Sequence, residues 1–129
     1  MSLKVAIFED DKDVADLLKE MMETRDFQVS TYYSLKDIAW NSNDIVLGDY
    51  RNKIVSFSSL QNECAKASIP LIAISGDETE YAPQLIKPFS IEDLQAIILD
   101  TLMKNKKPSN KKSETHNDNS FLSFFRKSG

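Results

Sequence analysis

Glu9, Asp10, Asp49, Ser75 and Lys87 share one feature: each sits at or just beyond the end of a short apolar run. If folding gathers them, the three carboxylates repel one another unless a cation lies between them. An all-oxygen set without His or Cys suits a hard ion such as Mg²⁺, which binds through one or two carboxylates and keeps several waters. A lysine and a serine hydroxyl are surplus for a metal alone. They suit a visiting anion with several oxygens, such as a phosphoryl group, whose charge the cation and lysine would spread. Asp49 is then the natural attacking group, since an aspartate forms an acyl phosphate.

The elements that must position these residues follow from periodicity. Val5 to Phe8 is an apolar run that meets Glu9-Asp10-Asp11, which predicts a buried strand and an acidic loop. Val14, Leu17, Leu18, Met21 and Met22 recur at helical spacing and predict an amphipathic helix over 12–24. Residues 27–31 predict a second strand. Ser34 followed by Asp37 resembles a capping box, predicting a short helix that carries Ile38 and Trp40. A third strand over 44–49 ends on Asp49. A helix follows over 56–67, bearing Phe57, Leu60, Cys64 and Ala67, then a nearly all-apolar strand over 70–74. Residues 84–86 are a very short fifth strand leading into Lys87-Pro88, and Ser90 with Asp93 caps a final helix. Strands alternating with helices predict a parallel sheet with right-handed crossovers, and ligands of such sheets bind beyond the carboxyl ends of the strands.

Taken singly, these residues have ordinary explanations. An acidic pair before a helix favours its positive end, and Asp49 could be a turn residue. Taken together, at four strand ends in order, they point to one rim and one site.

Composition removes other functions. Cys64 is the only cysteine, so there is no internal disulfide and no cysteine zinc site, and the only histidine, His116, lies in a polar stretch. No apolar run is long enough for a bilayer span, and the start lacks a secretory h-region, which predicts a cytoplasmic protein. The net charge is −4, with seven basic and two acidic residues in 104–129, so residues 1–103 carry −9. An acidic domain does not predict nucleic-acid binding. Residues 104–129, rich in Lys, Asn and Ser, are expected to be a flexible polar basic tail. Within it, Phe121-Leu122-Ser123-Phe124-Phe125-Arg126-Lys127 is apolar and then basic. It reads as a linker end or packing segment, with a docking segment as the sharper alternative.

Residues 4–103, about four-fifths of the chain, resemble the receiver domain of bacterial response regulators, the phospho-accepting half of two-component signalling. The resemblance rests on Val5-Ala6-Ile7-Phe8-Glu9-Asp10-Asp11, Asp44-Ile45-Val46-Leu47-Gly48-Asp49, Leu71-Ile72-Ala73-Ile74-Ser75-Gly76 and Ile86-Lys87-Pro88-Phe89. It implies a receiver domain over 1–103 with a flavodoxin-like (CheY-like) three-layer α/β sandwich and a five-stranded parallel sheet in the order 2-1-3-4-5, an order the receiver fold itself exemplifies. It further implies a phosphoprotein of a phosphorelay. Asp49 would be the phosphoacceptor, and Glu9, Asp10, Asp49 and the Arg51 backbone carbonyl would hold Mg²⁺. Ser75 and Lys87 would contact the phosphoryl group. The donor would be a histidine kinase or phosphotransfer protein, and the domain would catalyse only its own phosphorylation and dephosphorylation.

The sequence departs from that family in three places, one of them the loop Tyr50-Arg51-Asn52-Lys53, which lacks the Pro-Gly pattern common after the phosphoacceptor. Only residues 76–83 separate the fourth and fifth strands, where a parallel crossover normally takes a dozen or more, so helix four is expected to be missing or reduced to one turn. The position three before Lys87, aromatic in most receivers and part of their switch, is Gln84, with Tyr81 as a conceivable substitute. A lost helix would uncover apolar surface on strands four and five, for a second copy or a partner protein to cover. Arg51 and Asp77 are placed to pair across the cleft. Two further readings stand beside phospho-acceptance. One is a degenerate receiver acting as a phosphorylation-independent interaction module. The other is a Mg²⁺-dependent phosphatase, which generally needs a second Asp where this chain has Arg51.

Overall fold

A computed structural model of the chain describes residues 2–36 and 38–105. The strands are β1 (Leu3–Phe8), β2 (Phe27–Tyr32), β3 (Ile45–Asp49), β4 (Leu71–Ser75) and β5 (Gln84–Ile86), and the helices are α1 (Lys12–Glu23), α2 (Phe57–Ala67) and α3 (Ile91–Lys104). All strands run parallel in the order β2-β1-β3-β4-β5, the flavodoxin-like arrangement that the motifs imply.

Successive side chains of a strand point to opposite faces, and the sheet builds two cores on that rule. Val5, Ile7, Ile45, Leu47, Ile72 and Ile74 pack with Leu18 and Met22 of α1 and Leu94 and Ile98 of α3. Ala6, Phe8, Val46, Leu71 and Ala73 face the other way, onto Phe57, Leu60 and Cys64 of α2. The helix starts are capped as their sequences suggest: Asp11, Ser56 and Ser90 each accept from backbone amides of the first turn, and Ser90 with Asp93 completes a capping box.

Among the described residues the α2 face lacks two crossover helices, and aromatic rings cover the sheet there instead. The helix expected over 34–40 does not form among the described residues. The chain makes a single 3-10 turn, Trp40–Ser42, and Asp37 lies outside the described residues. The Ser34 hydroxyl accepts from the Lys36 amide at 3.0 Å, closing a turn rather than capping a helix. Trp40 and Tyr32 stack on Phe8, with centroids 6.0 and 5.5 Å away. Packing of the indole therefore overrides the local helical pattern. Between β4 and β5, residues 76–83 contain no helix. The Tyr81 ring lies edge-on to Phe57 at 5.0 Å, and its hydroxyl donates to the Leu71 carbonyl at 3.2 Å. This ring corrects one expectation: β4 is buried along its whole length, and of the apolar residues on β4 and β5 only Ile86 is exposed.

The 104–129 segment begins with Lys104 as the last residue of α3. The expectations for the rest of the tail, including 121–127, lie outside the described residues. None of the described helices is long and apolar enough to cross a membrane.

Candidate functional site

Strand register assembles the cleft. Phe8 pairs with Gly48, so Glu9 and Asp49 leave the sheet side by side. Asp49 pairs with Ile74, and Ser75 with Ile86, which brings Ser75 and Lys87 to the same rim. The Lys87 amide donates to the Ser75 carbonyl at 2.7 Å and the Tyr50 amide to the Ile74 carbonyl at 2.8 Å, tying the strand exits together.

Glu9, Asp10 and Asp49 each present a carboxylate oxygen, and these oxygens lie within 4.8 Å of one another. Asp11, not the pair before it, caps α1, through its bonds from the Asp13 and Val14 amides at 3.0 and 3.3 Å. Helix capping therefore does not account for Glu9 and Asp10. Glu9 is 4% exposed; its Oε1 accepts from Lys87 Nζ at 3.2 Å and its Oε2 from the Asp11 amide at 3.1 Å. Asp10 accepts from the Lys53 amide at 2.9 Å.

These contacts set the acidities. Burial pushes the Glu9 carboxyl above its ordinary range, with the Asp49 charge adding to the rise and the Asp11 amide and Lys87 opposing it. Burial also raises Asp49, Asp10 adds to the effect, and the Lys87 charge and Arg51 amide oppose it. Asp10 is lowered, chiefly by the Lys53 amide. A buried acid held beside two half-buried carboxylates forms a concentration of negative charge that a small hard cation would relieve, and their oxygen-only donor set fits one.

A cleft of 380 Å³ is lined by Glu9, Asp10, Asp49, Arg51, Lys53 and Lys87, together with Asp11 and Val14. Ser75 stands apart. It is 1% exposed, and its hydroxyl oxygen accepts from the Asp77 amide at 3.2 Å, at the neighbouring strand end rather than on the cleft wall. Arg51 and Asp77 do pair, at 3.4 Å and well exposed, where an ion pair is worth little. Gln84 is turned away from the cleft. Its Oε1 accepts from the amide and hydroxyl of Thr79 at 2.8 and 3.1 Å, and its Nε2 donates to the Thr79 carbonyl at 3.1 Å. Sequence reading missed the Lys53 amide, a backbone donor that no side-chain pattern marks. It also missed Asp11 as the cap, although an Asp directly before a helical run is a recognisable start signal.

The fold is that of response regulator receiver domains. The chain is similar to a receiver domain from Clostridium thermocellum at 21% identity, with a TM-score of 0.68, covering 79% of this chain and 95% of that one. It is similar to the receiver domain of Francisella response regulator 1452 at 24% identity, TM-score 0.65, covering 81% and 100%. The non-phosphorylated HemR receiver domain of Leptospira biflexa matches at 17% identity, TM-score 0.66, covering 78% and 94%. No protein-family model and no curated protein matches the sequence. At these identities the likeness is one of architecture, and function must be argued from the site.

Proposed function

We propose that the chain is a phospho-accepting receiver whose phosphoacceptor is Asp49. The observation that carries this reading is the convergence of Glu9, Asp10 and Asp49 within 4.8 Å at the carboxyl end of the sheet, with Lys87 on Glu9 at 3.2 Å. An ionised Asp49 oxygen attacks the phosphorus of a phosphohistidine on a kinase or phosphotransfer protein. The P–O bond forms as the P–N bond breaks, and the departing imidazole keeps the electron pair and takes a proton from solvent. Lys87 offers positive charge to the phosphoryl oxygens, while Ser75, buried beside the cleft rather than on its wall, contributes its hydroxyl hydrogen only when its side chain turns into the cleft. Glu9, Asp10, Asp49 and the Arg51 carbonyl would hold Mg²⁺, which when bound supplies charge neutralisation for the transferring group. Attack of water on the acyl phosphate returns phosphate and the free carboxylate, so the domain turns over only its own modification. A cytoplasmic location, where such donors occur, belongs to the same reading.

A second reading, a phosphorylation-independent interaction module, draws support from Gln84. The side chain at the usual switch position is committed to Thr79 by three hydrogen bonds. Incubation with Mg²⁺ and acetyl phosphate, followed by intact mass, separates the two readings. The phospho-acceptor reading expects one acid-stable, base-labile phosphoryl adduct that Asp49→Asn abolishes. No adduct, from acetyl phosphate or from a kinase phosphohistidine, leaves the module reading standing.

A further inference from the structure

Thr101, on α3 and 5% exposed, has a buried hydroxyl oxygen with no hydrogen-bond partner among the described residues. A helical threonine ordinarily bonds a carbonyl of its own preceding turn, so an orphaned one is unusual. It lines a groove of 280 Å³ together with Gln61, Cys64, Tyr81, Pro83 and Asn105. Past Gln61 and Tyr81 a second groove of 450 Å³ opens, walled by Tyr50, Phe57 and Glu80. Both border the helix-free crossover between β4 and β5, and since they meet at Gln61 and Tyr81 they offer one continuous surface of mixed lining.

The chain itself carries a segment suited to them. α3 ends at Lys104, and Asn105 already forms part of the groove wall. From there to Phe121 an extended chain spans up to about 50 Å, ample to return to a groove that begins at its own exit. Residues 121–125 are Phe-Leu-Ser-Phe-Phe, and Arg126 and Lys127 follow. The crossover beside the grooves exposes Asp77, Glu78 and Glu80. Aromatic rings for the Phe57 and Tyr81 rings of the groove walls, and cations for an acidic rim, complement each other in order.

We propose that these paired grooves are the intramolecular docking site of residues 121–127, which stand in for the missing crossover helix. Tethering supplies an effective concentration of order millimolar, so a short segment suffices. The proposal is independent of phospho-acceptance at Asp49.

Hydrogen exchange on the full chain tests it, with Gln61→Arg placing a bulky cation on the exposed groove wall without touching the core. Amides of 121–125 should exchange about tenfold more slowly in the wild type than in Gln61→Arg, equally at low and high protein concentration. Phe124→Ala with Phe125→Ala should shift the amide resonances of Gln61, Thr101 and Asn105. Equal exchange in wild type and Gln61→Arg overturns the proposal. Slowing that appears only at high concentration assigns the grooves to a second copy and overturns it as well.

Discussion

Asp49 is asked to be ionised where the fold makes ionisation costly. Its carboxyl is raised by burial and by Asp10, so the folded state holds that proton more tightly than the unfolded chain does. For an acid shifted upward, the stabilising contribution is complete below the unfolded value of about 3.8 and is lost as pH rises through the folded value. Asp49→Asn removes the charge and keeps the shape. Without divalent cations at pH 7, the variant should therefore be more stable than the wild type. Urea melts across pH should show that gap widening as pH rises through the range of Asp49 and closing at low pH. An Asp49→Asn variant less stable than wild type at neutral pH would show that the carboxylate is structural. Glu9 is raised in the same direction even though it accepts from Lys87. Glu9→Gln, which keeps a carbonyl oxygen for that lysine, should therefore also gain stability at neutral pH without divalent cations, and lose the gain at low pH.

At the scale of elements, the short crossover from β4 to β5 depends on two side chains. Gln84 brackets Thr79 with three hydrogen bonds, and Tyr81 closes over Phe57. Gln84→Ala should cost about 1–2 kcal/mol in urea melts. The same change should speed amide exchange over 77–83 while leaving β1 and β3 unchanged. Gly48 makes the neighbouring contact possible, since a methyl group there would lie 2.6 Å from Leu60 Cδ2, with Leu71 and Phe57 close behind. Leu60 is buried and walled in, so Gly48→Ala should destabilise by about 1–3 kcal/mol through overpacking, read as a lower denaturant midpoint. These cases mark what sequence can and cannot reveal. An apolar run that stops at a carboxylate announces where a strand leaves the sheet, so the meeting of Glu9, Asp10, Asp49 and Lys87 at one rim was legible, whereas the place of Ser75 off the cleft wall was not. The absence of a helix in 76–83 was legible as chain length. The helix expected over 34–40, which does not form among the described residues, was not legible as lost, because Trp40 stacks on Phe8, a partner distant in sequence. The ring of Tyr81, which keeps β4 covered, is likewise a tertiary contact with no local signature.

The whole molecule sets the electrostatic context of the cleft. Residues 1–103 carry −9, and three of those acids, Glu9, Asp10 and Asp49, bring carboxylate oxygens within 4.8 Å of one another. A cation that binds only the folded state adds RT ln(1 + [L]/Kd), about 2.7 kcal/mol at a hundredfold excess over Kd. A domain of this size shifts its melting temperature by about 4–8 °C per kcal/mol, so saturating Mg²⁺ should raise it by roughly 10–20 °C at pH 7. The rise should vanish as the medium is acidified through the carboxylate range, because the raised acids Glu9 and Asp49 protonate first and a protonated carboxyl does not hold the ion. General screening of an acidic surface would also stabilise, but Glu20, exposed on α1, separates the two effects. Glu20→Gln should leave the Mg²⁺ increment intact, whereas Asp10→Asn should remove most of it and equal ionic strength from NaCl should not reproduce it. Scanning calorimetry at matched ionic strength reads all three. An increment that NaCl matches, or that survives Asp10→Asn, would mean that the ion acts on the molecule's overall charge and that the cleft holds none.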